Sequence, residues 1–140
     1  MKLLTGTLAL FFLLTVTSSI GFGQNNDGEN LNDVLIAVAR SIEKSLPIKV
    51  DREKTLETVF ATNETLVFKY KVTDDSNFKN PKFDNNKYLY YVNESLKTSL
   101  CANENMYELL KMGTTFNYLY INIYGEKLFE NKFKINNCSQ

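Results

Sequence analysis

The chain has 140 residues, of which 44% are apolar, and its 16 basic and 16 acidic side chains give a formal charge of zero. This length and apolar content fit one globular domain with its own core. The sequence has no histidine, which excludes mechanisms that need an imidazole base and the common zinc and haem ligand sets. The balanced charge argues against a nucleic-acid partner, because such proteins usually carry a broad basic field.

Residues 1–23 are predicted to form a secretory signal peptide. Lys2 supplies a positive start, residues 3–16 are mostly apolar, and small glycine side chains precede a cut before Gln24. A membrane anchor is the weaker interpretation, because a span needs about 18 clean apolar residues. We therefore expect the mature protein to be exported to the periplasm or the extracellular space.

Cys101 and Cys138 are the two cysteines of the sequence, and neither lies near the predicted cut. A lipid anchor through an N-terminal cysteine is therefore not expected, and the cleaved protein should be soluble without a membrane anchor. In an oxidising compartment, two cysteines in a small domain most simply form one structural disulfide. The alternative is a catalytic redox pair, which usually has the Cys-x-x-Cys spacing.

After a flexible lead-in over residues 24–31, the first predicted element is a helix that begins at Asn32, its N-cap, and stops at Pro47. Its apolar side chains recur at helical spacing. Two strands follow at residues 55–62 and 65–73, around a polar turn. The second strand alternates apolar side chains with lysine and threonine, the pattern of a half-buried strand.

A polar loop over residues 74–86 leads to the second half of the domain. A longer helix is predicted to begin at Asp84 or Asn85. A short helix follows, capped by Asn103 and ended by Gly113.

The last predicted hairpin comprises residues 114–124 and 127–135. A two-residue loop pairs Tyr118 with Phe133, and a four-residue loop pairs it with Phe129. Both loops place the same aromatic side chains on one face of the hairpin. We expect that face to be the core: Phe116, Tyr118, Tyr120, Phe129, Phe133 and Ile135.

Residues 32–140 are thus predicted to form a single α+β domain. The elements follow in the order α-β-β-α-α-β-β. This order favours an antiparallel sheet of about four strands with helices packed on one face.

Few side chains of this sequence are candidates for catalysis or metal binding. The acidic residues are scattered among lysines, so the acid–base pair of a carboxylate-dependent hydrolase is not evident. A calcium site built from the acidic loop with Asp74, Asp75 and Asp84 lacks the glycine and the glutamate of an EF-hand loop. We therefore expect no catalytic residues, no metal and no cofactor.

The eight tyrosines exceed what a core of this size comfortably hides, because each hydroxyl needs a partner or water. The densest cluster contains Tyr88, Tyr90 and Tyr91, which cannot all face inward from one helix. One interpretation places the tyrosines around the edge of the core. The other makes Tyr88, Tyr90 and Tyr91 a partner-binding surface, since tyrosine is enriched in interface hot spots.

Four short motifs carry a family resemblance that spans about residues 32–138. They are Leu46-Pro47-Ile48-Lys49, Leu100-Cys101-Ala102-Asn103, Phe116-Asn117-Tyr118 and the late Cys138. In order and spacing, the sequence resembles the small disulfide-containing pilotins of type II secretion and related exported bacterial proteins.

The resemblance implies a non-enzymatic fold that contains the Cys101–Cys138 disulfide. In pilotins this fold grips a segment of a secretin subunit and escorts it to the outer membrane. Those pilotins are lipoproteins, whereas this sequence shows no lipidation cysteine, so the resemblance supports the fold more strongly than the task.

The sequence therefore predicts a soluble exported bacterial protein that is not an enzyme and binds a protein or peptide partner through a pilotin-like fold. The alternative is a small carboxylate-dependent hydrolase of the cell envelope. Two inward-facing acids in one cleft, about 5–10 Å apart, would favour the alternative.

Overall fold

The computed structural model describes residues 30–139, so the predicted signal peptide and most of the predicted lead-in lie outside that range. Four α-helices and five strands form within the described range. In chain order they are α1 (Leu31–Glu43), β1 (Ile48–Lys49), β2 (Lys54–Thr62), β3 (Thr65–Val72), α2 (Ser76–Lys79), α3 (Asn85–Cys101), α4 (Glu104–Lys111), β4 (Thr115–Asn122) and β5 (Lys127–Phe133), followed by a 3-10 turn at Ile135–Cys138.

Polar side chains fix where three of the helices begin. Asp84 and Asn103 cap α3 and α4 by accepting hydrogen bonds from backbone N–H groups three residues later, as the sequence predicts. Helix α1 is capped by Asn30 instead of Asn32. Gly113 follows α4 with a φ of 103°, a backbone conformation that glycine adopts without a steric penalty.

The sheet has five strands in the order β1-β2-β3-β4-β5, and it differs from the prediction in two details. The two-residue strand β1 pairs with β2 and is too short to show a periodic pattern. Strands β3 and β4 run parallel, whereas the other neighbours are antiparallel. Hydrophobic periodicity indicates which side of a strand is buried but carries no information about its direction, so the mixed sheet could not be predicted from it.

Helices cover one face of this sheet. Helix α1 buries Val34, Leu35, Val38, Ala39 and Ile42, while α3 and α4 bury leucine and methionine in the same core. The short helix α2 lies within residues 74–86, where the sequence predicts a polar loop. The result is a two-layer α+β domain whose second sheet face carries no described helix.

The last hairpin has a register that neither predicted loop would produce. Phe116 pairs with Phe133, Tyr120 pairs with Phe129, and Tyr118 lies opposite Asn131. Asn131 is two residues from each of the two partners predicted for Tyr118. A shift by an even number of residues leaves every side chain on the same face of the hairpin, so the aromatic side chains of β4 and β5 lie on the predicted core face and are buried. Ile135 lies beyond β5, in the 3-10 turn.

The predicted disulfide joins Cys101, at the end of α3, to Cys138 in the turn after β5. It ties the helical layer to the edge of the sheet. Leu96 and Leu100 on α3 are buried in the core beside this cross-link. The bond closes a loop with a sequence separation of 37 residues, which removes conformational freedom from the unfolded chain.

Replacing both cysteines by alanine should lower the free energy of unfolding by about 4 kcal/mol, because the cross-link restricts the unfolded chain. Urea denaturation of the variant and of the oxidised protein measures the difference. Reduction of the unaltered protein with dithiothreitol is the matched control and should give a similar loss. A loss below about 1 kcal/mol in both cases would contradict the chain-entropy account.

Candidate functional site

Tyr88 is the most buried of the three candidate tyrosines. Its ring lies 5.2 Å from that of Phe129 and 5.6 and 5.5 Å from those of Phe78 and Phe83, measured between ring centroids. Burial raises the pKa of its hydroxyl. Tyr88 therefore packs α2 and the loop after it against β5, which is the behaviour expected of a residue at the edge of the core.

Tyr90 and Tyr91, on the same helix, form an exposed aromatic pair. Their side chains are 60% and 50% exposed, and their rings meet edge to face with centroids 5.8 Å apart. On a helix, Lys87 and Glu94 lie three or four residues from both rings, and both of these charged residues are exposed. The pair is thus an apolar surface with a charged rim.

Three other tyrosines are core residues. Tyr70 and Tyr120 stack with their ring centroids 5.1 Å apart, and Tyr118 stacks on Phe68 at 5.2 Å. Burial raises the pKa of all three hydroxyls above its ordinary value. The Tyr70 hydroxyl is buried without a hydrogen-bond partner in the described part of the protein.

The carboxylates form one notable contact, at the end of β4. The side-chain amide of the buried Asn122 donates to both Glu126 (2.6 Å) and Asp75 (3.3 Å). Lys79 binds Asp75 at 2.7 Å and holds the pKa of that carboxyl below its usual range through a hydrogen bond. A general acid needs a raised pKa, so Asp75 does not have the electrostatics of one.

The acidic loop residues considered for calcium have local structural tasks. Asp84 caps α3, and Asp74 accepts a hydrogen bond from the backbone N–H of Ser76 at 3.0 Å. Between residues 30 and 139, no group of three histidine, cysteine, aspartate or glutamate side chains is placed to hold a metal ion.

The uncovered face of the sheet is the second surface of interest. It carries side chains from β2 to β5 that alternate with the core positions, including Phe60, Val67, Lys69 and Ile121. A depression of about 300 Å³ lies at one end of this face. The sequence predicts that these strands belong to one sheet, but the alternation within each strand does not indicate that β4 lies between β3 and β5.

Comparison with a protein-family model matches residues 24–139 to a family described as "Putative quorum-sensing-regulated virulence factor". The chain belongs to this family. No curated protein matches the sequence.

Three solved structures are similar to the described fold. A protein of Pseudomonas aeruginosa described as a "putative secreted protein" has a TM-score of 0.66 at 16% identity, with 77% of this chain and 92% of that chain covered. The pilotin EpsS of the Vibrio vulnificus type 2 secretion system has a TM-score of 0.60 at 13% identity, with 77% and 91% covered. The type II secretion pilotin AspS of Vibrio cholerae has a TM-score of 0.56 at 19% identity, with 78% and 93% covered.

These similarities confirm the pilotin-like α+β fold that the sequence motifs predicted. At these identities they establish the fold alone. None of the descriptions names an enzyme. In the described range, no helix is long and apolar enough to cross a membrane.

The buried tyrosines predict a steep loss of stability in alkali. Unfolded tyrosines ionise near about pH 10, whereas burial raises the pKa of Tyr70, Tyr118 and Tyr120 in the folded state. Their stabilising contribution is therefore complete below about pH 10 and is lost as the pH rises towards the folded pKa values. Above about pH 10, these three tyrosines together should lower the free energy of unfolding by about 4 kcal/mol for each unit of pH.

Urea unfolding at several pH values, followed with tyrosinate absorbance, measures this loss. The variant Tyr70→Phe is the matched control, because it removes one buried hydroxyl that has no hydrogen-bond partner in the described structure. It should lower the pH slope by about a third and leave neutral stability equal or higher. Ionisation of all eight tyrosines in the folded protein, with no loss of stability, would contradict the prediction.

Proposed function

We propose that this protein is a soluble exported interaction protein, without enzymatic activity, which binds a protein or peptide partner through Tyr90 and Tyr91. The observation that carries the proposal is the exposed edge-to-face pair that these two rings form on α3. The rings contribute nothing to the core, and aromatic pairs of this kind commonly provide the central contacts of an interface.

The surroundings of the pair support this proposal. Buried residues such as Leu96 and Leu100 hold α3 on the domain, and the disulfide at Cys101 fixes its end. The tyrosine pair therefore lies on a rigid element, so little conformational entropy is lost when a partner binds it. The exposed Lys87 and Glu94 provide the polar rim that surrounds the centre of a typical interface.

Export is the cellular setting that the proposal assumes. The family match begins at residue 24, which is the first residue after the predicted signal peptide. Two of the similar structures are pilotins, and the third is described as a secreted protein. The proposed partner is therefore a protein of the periplasm or the extracellular space, and a secretion component is the first class to examine.

Site-specific photo-crosslinking in the producing bacterium tests the proposed surface. A photoreactive phenylalanine analogue replaces Tyr91 in one variant and Tyr124 in the control. Tyr124 is also exposed but lies in the turn between β4 and β5 without a described ring partner. We expect one discrete protein adduct from position 91 and none from position 124.

Once the partner is identified, the double variant Tyr90→Ala/Tyr91→Ala should bind it at least about 30-fold more weakly, because loss of hot-spot aromatics costs about 2 kcal/mol or more. Tyr124→Ala should change the affinity less than about twofold. Circular dichroism checks that both variants remain folded. Equal adducts from both positions, or an affinity that survives the double substitution, would refute the role of the tyrosine pair.

A further inference from the structure

The uncovered sheet face concentrates positive charge. It carries the lysines of β1, β3 and β5, the lysine that follows β5 and lines the depression, and two glutamates, an excess of four positive charges among the described residues. The basic residues are Lys49, Lys69, Lys71, Lys127, Lys132 and Lys134. The remaining described surface has an excess of acidic side chains, so the neutral sequence folds into a protein with a basic side.

Both glutamates of this face are already engaged. Glu57 binds Lys71 at 2.6 Å. Glu130 accepts hydrogen bonds from the side-chain amide of Asn117 at 2.9 Å and from Lys127 at 3.3 Å. In the part of the chain that the structure describes, Lys69, Lys132 and Lys134 have no carboxylate within 4.0 Å.

An apolar row runs between these lysines. Val67 on β3 and Ile121 on β4 lie on this face outside the main core cluster and are 5% and 7% exposed, whereas Phe60 on β2, beside Val67, is 42% exposed. The aliphatic stems of the flanking lysines can cover such a row while their ammonium groups remain in water. A partner that displaces this water would need apolar side chains at its centre and acidic groups at its edges.

The depression at the end of the face contains a polar side chain that lacks a hydrogen-bond partner. It is lined by Thr65, Thr115, Asn117, Lys132 and Lys134, among others. Asn117 is 8% exposed, and its side-chain oxygen accepts no hydrogen bond within the described structure. The Asn117 side-chain oxygen therefore lacks a hydrogen-bond donor. A peptide N–H can donate to it, whereas a phosphate oxygen cannot.

We propose that this face binds an acidic segment of a partner protein, with carboxylates opposite Lys69 and Lys132 and apolar side chains against the exposed ring of Phe60. Charge complementarity selects the acidic character of the segment. The apolar row and Asn117 favour a polypeptide over a nucleic acid or an anionic membrane. The face lies on the side of the sheet opposite the helices and is separate from Tyr90 and Tyr91, so the proposal goes beyond the function proposed above.

Fluorescence anisotropy with a labelled peptide of about twelve residues, which repeats Glu-Val-Glu-Thr, tests the proposal on the mature protein. We expect saturable binding at low salt that weakens as salt screens the charges. A peptide with glutamine at every glutamate position should bind at least tenfold more weakly. The variant Lys69→Glu/Lys132→Glu should lose at least tenfold in affinity for the acidic peptide.

The control variant Lys44→Glu/Lys82→Glu makes the same change in net charge at two exposed positions outside both proposed surfaces and should stay within twofold of the original affinity. The milder Lys69→Gln/Lys132→Gln variant serves if charge reversal impairs folding, and it should lose about threefold or more. No saturable peptide binding, or equal losses in the sheet-face and control variants, would overturn the proposal.

Two further ligands distinguish the competing classes of partner. Vesicles of phosphatidylcholine and phosphatidylglycerol, or a single-stranded oligonucleotide, would overturn the proposal if either bound more tightly than the peptide and lost binding in Lys69→Glu/Lys132→Glu. The same variant should keep the photo-crosslink at position 91. A failure of the sheet-face proposal is therefore distinguishable from a failure of the tyrosine surface.

Discussion

The side-by-side pairing of β3 and β4 is the contact on which the rest of the domain depends. These strands belong to two separate hairpins, and their parallel ladder is continuous from Thr65–Thr115 to Val72–Asn122. The register places the rings of one hairpin against those of the other, as in the stacked pair of Tyr70 and Tyr120. Two hairpins thereby share one core, which an isolated hairpin in water could not maintain.

Parallel neighbours also dictate the course of the chain between them. A parallel pair needs a long connection that returns to the same end of the sheet, and here that connection carries α2, α3 and α4 across the core face. Helix α3 turns Leu96 and Leu100 inward, so Tyr90 and Tyr91 are left on the outside. The candidate partner surface is thus a consequence of how the two hairpins are joined.

The same junction creates the basic side of the protein. Lys69 is on β3 opposite Leu119, and Lys132 is on β5 opposite Asn117. The two lysines share a face because Asn117 and Leu119 are two residues apart on β4, which lies between the two strands. Each strand alone has the alternating pattern of an ordinary amphipathic strand. The formal charge of zero gave no sign of this arrangement, because total charge does not record how a fold distributes its charges in space.

The sequence by itself determined what depends on short-range physics. Caps at Asp84 and Asn103 follow from local hydrogen bonding, the buried faces of the strands follow from period-two alternation, and the pairing of Cys101 with Cys138 follows from there being two cysteines. The tertiary structure alone decided the direction of β3 against β4, the addition of β1 and the exposure of Tyr90 and Tyr91 beside a half-buried Tyr88. Those features depend on contacts between residues far apart in the chain, and alternation within one strand contains no information about its neighbour.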